Sequence, residues 1–295
     1  MIRLSRLQIF WDLIRLILFG TSIPFKSIFL WGGFGLFCRV KYIFRPYVED
    51  GVDHRAMVKA FRHEGLVYLS SLSESEVEML DEVNRVTQTK FGPANDSYQT
   101  LPLEVQGSEV VDNFIWTFLD SRRGELESLM GSYFQTYWIT AYKTVSDICE
   151  DRGGSFLWHY DEDPRELKKI FIYLNDTSSQ NGAFRYFGRK FSAHLVRRRG
   201  FISNTESRRA HAHKLVTTKD LKHVKVADGE KGAAFVFDNN IIHKGTMPLN
   251  GERKVFSIEI FPSSKPLCRE NVRASLNLPI TDDFPEAPWH NKYNL

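Results

Sequence analysis

Cysteine is scarce in this chain. Cys38, Cys149 and Cys268 are the only three in 295 residues, odd in number and far apart. They offer no disulfide framework and no CxxC pair for zinc, which predicts a reducing, cytoplasmic setting. Net charge is scarce too: 39 Lys and Arg against 36 Asp and Glu leave +3. That is too little to imply nucleic acid, and no reading motif accompanies the basic clusters. An uninterrupted apolar run of membrane-spanning length is also missing. The segment Ile23–Phe37 would reach about 22 Å as a helix, against a hydrocarbon core of about 30 Å. A longer span must take in Asp12, Arg15 or Lys26, each costing roughly 2.5–3.5 kcal/mol at the bilayer centre. No small-residue cleavage site follows the apolar region, which argues against a cleaved leader. Neither internal repeats nor βαβ alternation can be found.

What is present begins with a distinct N-terminal piece, residues 1–46. Leu7–Phe19 is almost wholly apolar, with Ser5, Gln8, Asp12 and Arg15 in one narrow polar stripe of a helical wheel. Trp11 and Trp31, flanked by Arg3, Arg6, Arg39 and Lys41, suit the headgroup level of a membrane. The expectation is an interfacial anchor that makes the protein peripheral on a membrane. Packing on the protein's own core or on a second subunit is the alternative.

Residues 47–295 read as one folded domain, with 42% hydrophobic residues and 23 Phe overall. Asp53–His63 predicts a short helix and Gly65–Leu69 a strand. Ser73 with Glu76 forms a capping box before Val77, Leu80, Val83 and Val86 at helical spacing. Beyond residue 133 the pattern changes to short β-like runs: Tyr137–Val145, Phe156–Tyr160, Lys168–Leu174, Ala183–Phe187, His223–Val226, Ala233–Phe237 and Arg253–Phe261. Gly, Asn, Asp and Ser clusters separate them, as in a sandwich or barrel. The predicted fold is mostly β with α: a double-stranded β-helix, or jelly roll, carrying N-terminal helices. Arg197–Lys222 reads as a basic loop inserted into it, and the proline-bearing tail after Pro262 as a surface segment.

Chemistry concentrates in two places. His159 and Asp161 stand two apart at the end of a predicted strand, so both side chains face one side and can reach one ion. His243 ends a second predicted strand and turn. Two imidazoles and one carboxylate make a facial triad for Fe(II), leaving coordination positions open for a bidentate oxo-acid and O₂. Arg253 opens the next strand, and its fork suits the far carboxylate of a dicarboxylic co-substrate. Tyr142 and Tyr173 lie on strands that could flank that co-substrate, or else are core aromatics. His211 and His213 sit among arginines and read as surface residues.

These motifs together resemble the phytanoyl-CoA dioxygenase-like branch of the Fe(II)/2-oxoglutarate-dependent oxygenases, over roughly residues 55–262. The resemblance rests on Phe61–Leu69, Leu72–Val77, Trp158–Asp161, Ile172–Asp176 with Asn181 and Gly182, and His243 with Asn250 and Arg253. The turn Phe187–Lys190 departs from the Pro-Gly-Ser-His turn of that branch, and the basic loop has no counterpart. The resemblance implies a hydroxylase using Fe(II), 2-oxoglutarate and O₂, with His159, Asp161 and His243 as metal ligands and Arg253 as co-substrate anchor. Its substrate would be a small or lipid-like molecule, anionic if Arg197–Arg199 and Arg208–Arg209 take part. A non-catalytic jelly-roll binding module at a membrane surface is the competing reading, and a jelly-roll metalloenzyme that uses no 2-oxoglutarate, such as an isomerase, is a third.

Overall fold

Two antiparallel sheets carry the fold. The computed structural model describes residues 25–43, 54–91, 98–146, 154–161, 164–201 and 206–277. In chain order the helices are α1 (Phe25–Ile43), α2 (Arg55–Glu64), α3 (Glu74–Thr87), α4 (Leu103–Gln106), α5 (Glu109–Ser121), α6 (Arg123–Met130), α7 (Arg189–Arg199), α8 (Glu206–Leu215) and α9 (Arg269–Leu276). The strands are β1 (Leu66–Tyr68), β2 (Tyr98–Thr100), β3 (Tyr133–Val145), β4 (Lys168–Tyr173), β5 (Phe184–Phe187), β6 (Val224–Ala227), β7 (Ala234–Asp238), β8 (His243–Lys244) and β9 (Glu252–Ser263). The larger sheet has the order β1-β7-β4-β9-β3-β2 and the smaller β6-β5-β8.

Alternation along the strands divides the core into two layers. Ile170 and Ile172 of β4, Val236 of β7 and Phe256 and Ile258 of β9 face the helices, where Phe114, Phe118 and Leu80 bury against them. Phe171, Tyr173, Phe235, Phe237 and Val255 face the other way and meet Phe184 and Tyr186 of the smaller sheet. The sheets therefore pack face to face, although the described strands do not close into a barrel. The molecule is a mixed α/β sandwich with a larger share of helix than the sequence predicts.

The Ser73 cap forms as its spacing requires. Ser73 Oγ accepts from the Glu76 N–H at 3.3 Å and Glu76 Oε2 accepts from the Ser73 N–H at 2.8 Å. Glu76 also accepts from the buried Arg122 guanidinium at 2.6 Å, tying the start of α3 to the end of α5.

Three expectations are corrected. Phe156–Tyr160 is not a regular strand: a single 3₁₀ turn (Gly154–Phe156) precedes an isolated bridge between His159 and His243. The basic stretch 197–222 is not a loop, because α7 reaches Arg199 and α8 follows at Glu206. Leu195, Val196 and Ala212 give those helices a buried side, and the arginines occupy the remainder. Of the tail after Pro262, residues 278–295 lie outside the described residues, and the described part does not simply run over the surface. It begins inside β9 and then forms α9, whose Val272 and Leu276 are fully buried. The N-terminal segment meets one of its two expectations in part, because α1 packs on the domain itself. Gly35 and Cys38 of α1 are buried, Tyr42 donates to Glu127 at 2.9 Å, and the Tyr42 ring meets Tyr133 edge-on at 5.0 Å. Residues 1–24 and 44–46 of that segment, and Cys149, lie outside the described residues. None of the described helices is long and apolar enough to cross a membrane.

Candidate metal centre

Backbone pairing explains how residues far apart in sequence meet. His159 and His243 exchange both backbone hydrogen bonds, at 2.9 and 2.7 Å. Two residues further on, the Asp161 N–H donates to the Asn239 carbonyl at 2.9 Å, and on the other side the Gly245 N–H donates to Ser155 at 2.8 Å. Directly opposed residues of an antiparallel pair project to the same face, and so does the residue two positions along. His159, His243 and Asp161 thus converge, while Trp158 and Tyr160 turn to the opposite side and pack with Phe187, Leu195 and Phe201.

One ligand atom from each of His159, Asp161 and His243 lies within 4.8 Å of the others. His159 Nε2 stands 3.4 Å and His243 Nε2 3.7 Å from Asp161 Oδ1. Both imidazoles are oriented by their own chain: Nδ1 of His159 lies 2.7 Å from the Leu157 carbonyl and Nδ1 of His243 2.8 Å from that of Ile241. With Nδ1–H donating, each ring presents an unprotonated Nε2 to the carboxylate side, the arrangement seen in metal-binding histidines. Burial, and then the neighbouring His159, hold His243 down at about 3, so this ring is neutral at physiological pH. Burial alone pushes the Asp161 carboxyl up, but the Lys169 ammonium beside it holds it well below the usual carboxylate range.

Sequence reading overlooked Lys169. Its ammonium lies 2.8 Å from Asp161 Oδ2 and 3.0 Å from Glu259 Oε1. It therefore occupies the oxygen of Asp161 that the histidines do not face. His213 was also misread: its Nδ1 accepts the backbone N–H of Trp158 at 3.0 Å, holding the residue just before His159.

A cavity of about 140 Å³ opens from the three ligands, walled by Tyr142, Phe171, Phe184, Phe237 and Arg253. Arg253 is 3% exposed. Its Nη1 donates to the Gly182 carbonyl at 2.7 Å and its Nη2 to Thr144 Oγ1 at 3.3 Å, while its guanidinium lies 5.6 Å from the Tyr142 ring centre. Nε is buried with no hydrogen-bond partner, which is costly in a folded interior unless a ligand supplies an acceptor. Gly182 has φ +98°, and a Cβ there would stand 2.8 Å from the Thr246 carbonyl oxygen, so this seat for Arg253 requires glycine. Tyr142 lines the cavity. Tyr173 is not among the lining residues; its hydroxyl donates to the Ala227 carbonyl at 2.5 Å and accepts from the Phe184 N–H at 3.2 Å. His211 is exposed and outside the cluster.

No family model matches the chain, and comparison with curated proteins finds no match. Solved structures do match. The non-heme alpha ketoglutarate dependent epimerase SnoN from nogalamycin biosynthesis superposes with a TM-score of 0.50 at 12% identity, covering 71% of this chain and 83% of SnoN. The chain has the fold of the non-heme 2-oxoglutarate-dependent enzymes. A second SnoN structure, in complex with Fe3+, alpha ketoglutarate and nogalamycin RO, matches at TM-score 0.51 and 11% identity over 71% of this chain and 84% of SnoN. The carbocyclase SnoK of the same biosynthesis matches at TM-score 0.50 and 15% identity, over 74% of this chain and 87% of SnoK.

Proposed function

We propose that the protein is an Fe(II)- and 2-oxoglutarate-dependent oxygenase that oxidises a C–H bond of a small molecule. The observation that carries this reading is the convergence of two backbone-oriented imidazoles and one carboxylate at the mouth of a cavity that also holds a buried arginine with an unused N–H. A two-His, one-carboxylate donor set leaves positions open and suits iron rather than a closed zinc site. His159 and His243 would hold the metal through Nε2 and Asp161 through Oδ1. Iron with 2-oxoglutarate and O₂ supplies the oxidation of a C–H bond, releasing succinate and CO₂.

The chain's own residues supply the rest. Arg253 would grip the distal carboxylate of 2-oxoglutarate. Tyr142 lies against that guanidinium, whereas Tyr173 acts from behind the wall by fixing Ala227 and Phe184. Phe171, Phe184 and Phe237 exclude water from the metal side. Hydroxylation is the simplest outcome, and the same fold serves an epimerase and a carbocyclase, so the product must be identified by its mass. Anaerobic titration with Fe(II) and 2-oxoglutarate tests the site: a visible metal-to-ligand charge-transfer band that is absent in Asp161→Ala is expected. Stoichiometric succinate release excludes a non-catalytic binding module.

A second element of the reading concerns location. Leu36, Phe37, Val40 and Ile43 of α1 are exposed by 61, 53, 46 and 75%, beside the exposed Arg39 and Lys41. The inner side of α1 is already packed on the domain, so this outer stripe, with its flanking cations, suits an anionic membrane surface.

A further inference from the structure

A concentration of unbalanced charge lies away from the metal. Successive residues of β4 point to opposite faces of the larger sheet: Lys169 lines the metal cavity, and Lys168 lines a second one of about 490 Å³. That volume is within the range of small-molecule pockets, about 300–1,000 Å³. Its wall carries Arg62 from α2, Arg165 from the approach to β4, Lys168 from the start of β4, and Arg189 and Arg197 from α7. The last two are eight residues apart and share a helix face. Asp238 is the single carboxylate on this wall among the described residues, so five cations against one anion leave +4.

Asp238 is already engaged. It pairs with Arg189 Nη1 at 2.5 Å and accepts the Asn240 N–H at 3.0 Å. Arg189 Nε is nonetheless buried without a partner. Lys168 is 8% exposed; its ammonium donates to the carbonyls of Arg165 and Leu167, using two of its three N–H groups. Burial, opposed by Asp238, lowers the Lys168 pKa. Lys168 and the Nε of Arg189 are buried, whereas Arg62, Arg165 and Arg197 ring them from the exposed rim; burying like charges side by side is unfavourable unless an anion joins them. A lone carboxylate cannot offset five positive charges. Phosphate oxygens can, and they match both the fork of Arg and the point charge of Lys.

We propose that this cavity, on the far face of the sheet from the metal centre, binds a phosphate-bearing small molecule through Arg62, Arg165, Lys168, Arg189 and Arg197. The proposal is independent of the reaction at the metal. Calorimetric titration of the full chain, freed of divalent metal by chelation, with inorganic pyrophosphate should give one saturable site. The double variant Arg165→Ala/Arg197→Ala removes two exposed side chains and leaves the folded core intact; it should bind at least tenfold more weakly, with an unchanged thermal midpoint when no ligand is added. Excess 2-oxoglutarate should not displace the pyrophosphate. Flotation with phosphatidic acid vesicles, repeated with pyrophosphate as competitor, distinguishes a lipid phosphate from a free one. Absence of saturable binding, equal binding by the double variant, or displacement by 2-oxoglutarate would each overturn the proposal.

Discussion

Asn175 holds the backbone on both sides of Arg253: its Oδ1 accepts the Lys254 N–H at 2.7 Å and its Nδ2 donates to the Glu252 carbonyl at 2.9 Å. β4 ends at Tyr173, so this side chain continues the ladder past the end of the strand and fixes where the guanidinium enters the cavity. Asn175→Ala should therefore weaken 2-oxoglutarate binding while leaving the anchoring charge in place. The half-saturating 2-oxoglutarate concentration should rise about tenfold, equivalent to about 1.4 kcal/mol. Arg253→Ala should raise it further, and Arg253→Lys should fall between Arg253→Ala and wild type because it keeps the charge and loses the fork. Equal requirements in wild type and Arg253→Ala would move the anchor elsewhere.

His213 reaches across 55 residues to the backbone of Trp158. Replacing it by Ala strands a partly buried N–H at a cost of about 1–3 kcal/mol, and it frees the segment that presents His159. A lower thermal midpoint and weaker Ni(II) binding, both measured calorimetrically, should appear together. Asn at this position retains an acceptor and should recover part of each. Unchanged metal affinity in His213→Ala would confine its role to stability.

The site was far more legible in the sequence than its surroundings. His159 and Asp161 obey a period of two and His243 closes a predicted strand, a weak signal for the first pair alone that gained weight with His243, Arg253 and the family resemblance. The partners that orient them were hidden because their contacts are long-range: Lys169 meets Glu259 across neighbouring strands, and His213 belongs to a helix whose dense Arg and Lys read as loop. Polar composition describes only the outward face of α7 and α8, and one or two buried apolar residues per helix are too few to reveal the period. The same holds for α9, where the surrounding prolines outweighed Val272 and Leu276. Arg122 and Glu76, 46 residues apart, form a buried pair that no local rule detects.

Asp220 joins the end of α7 to the turn after α8. Arg199 bonds it first of all, and Thr217 adds a backbone and a hydroxyl donor; these hold the Asp220 carboxyl below the usual carboxylate range. A carboxyl depressed in the folded state contributes stability that is fully present above its unfolded pKa, about 3.9, and is lost as pH falls through the folded value. The thermal midpoint of Asp220→Asn should thus lie below that of wild type at neutral pH, and the gap should close in acid below about pH 4. A gap independent of pH would assign the effect to lost packing instead.

The exposed stripe of α1 makes a separate prediction. Leu36→Ser, Phe37→Ser and Val40→Ser combined should leave the metal site unchanged and reduce co-sedimentation with phosphatidylserine-containing liposomes. Wild type that remains in the supernatant at low salt would remove the membrane from the reading.

Lys169 allows metal affinity and turnover to be separated. In the metal-free protein its ammonium is shared by two carboxylates, Asp161 and Glu259, both largely buried. Lys169→Met keeps the stem and removes the charge, leaving those carboxylates uncompensated, and breaking a buried pair of this kind costs roughly 3–5 kcal/mol. A bound divalent ion restores positive charge beside Asp161 and is no longer repelled by the ammonium. The stability deficit should consequently shrink when Ni(II) is added, and Ni(II) should bind the variant more tightly than wild type. Turnover should move the other way. With Oδ2 released, Asp161 can rotate, and a displacement of about 1 Å at a reacting centre can cost on the order of 100-fold in rate. Tighter metal binding together with slower succinate production is a combination that simple unfolding cannot produce. Equal stability deficits with and without Ni(II) would show that Lys169 supports the fold and does not orient Asp161.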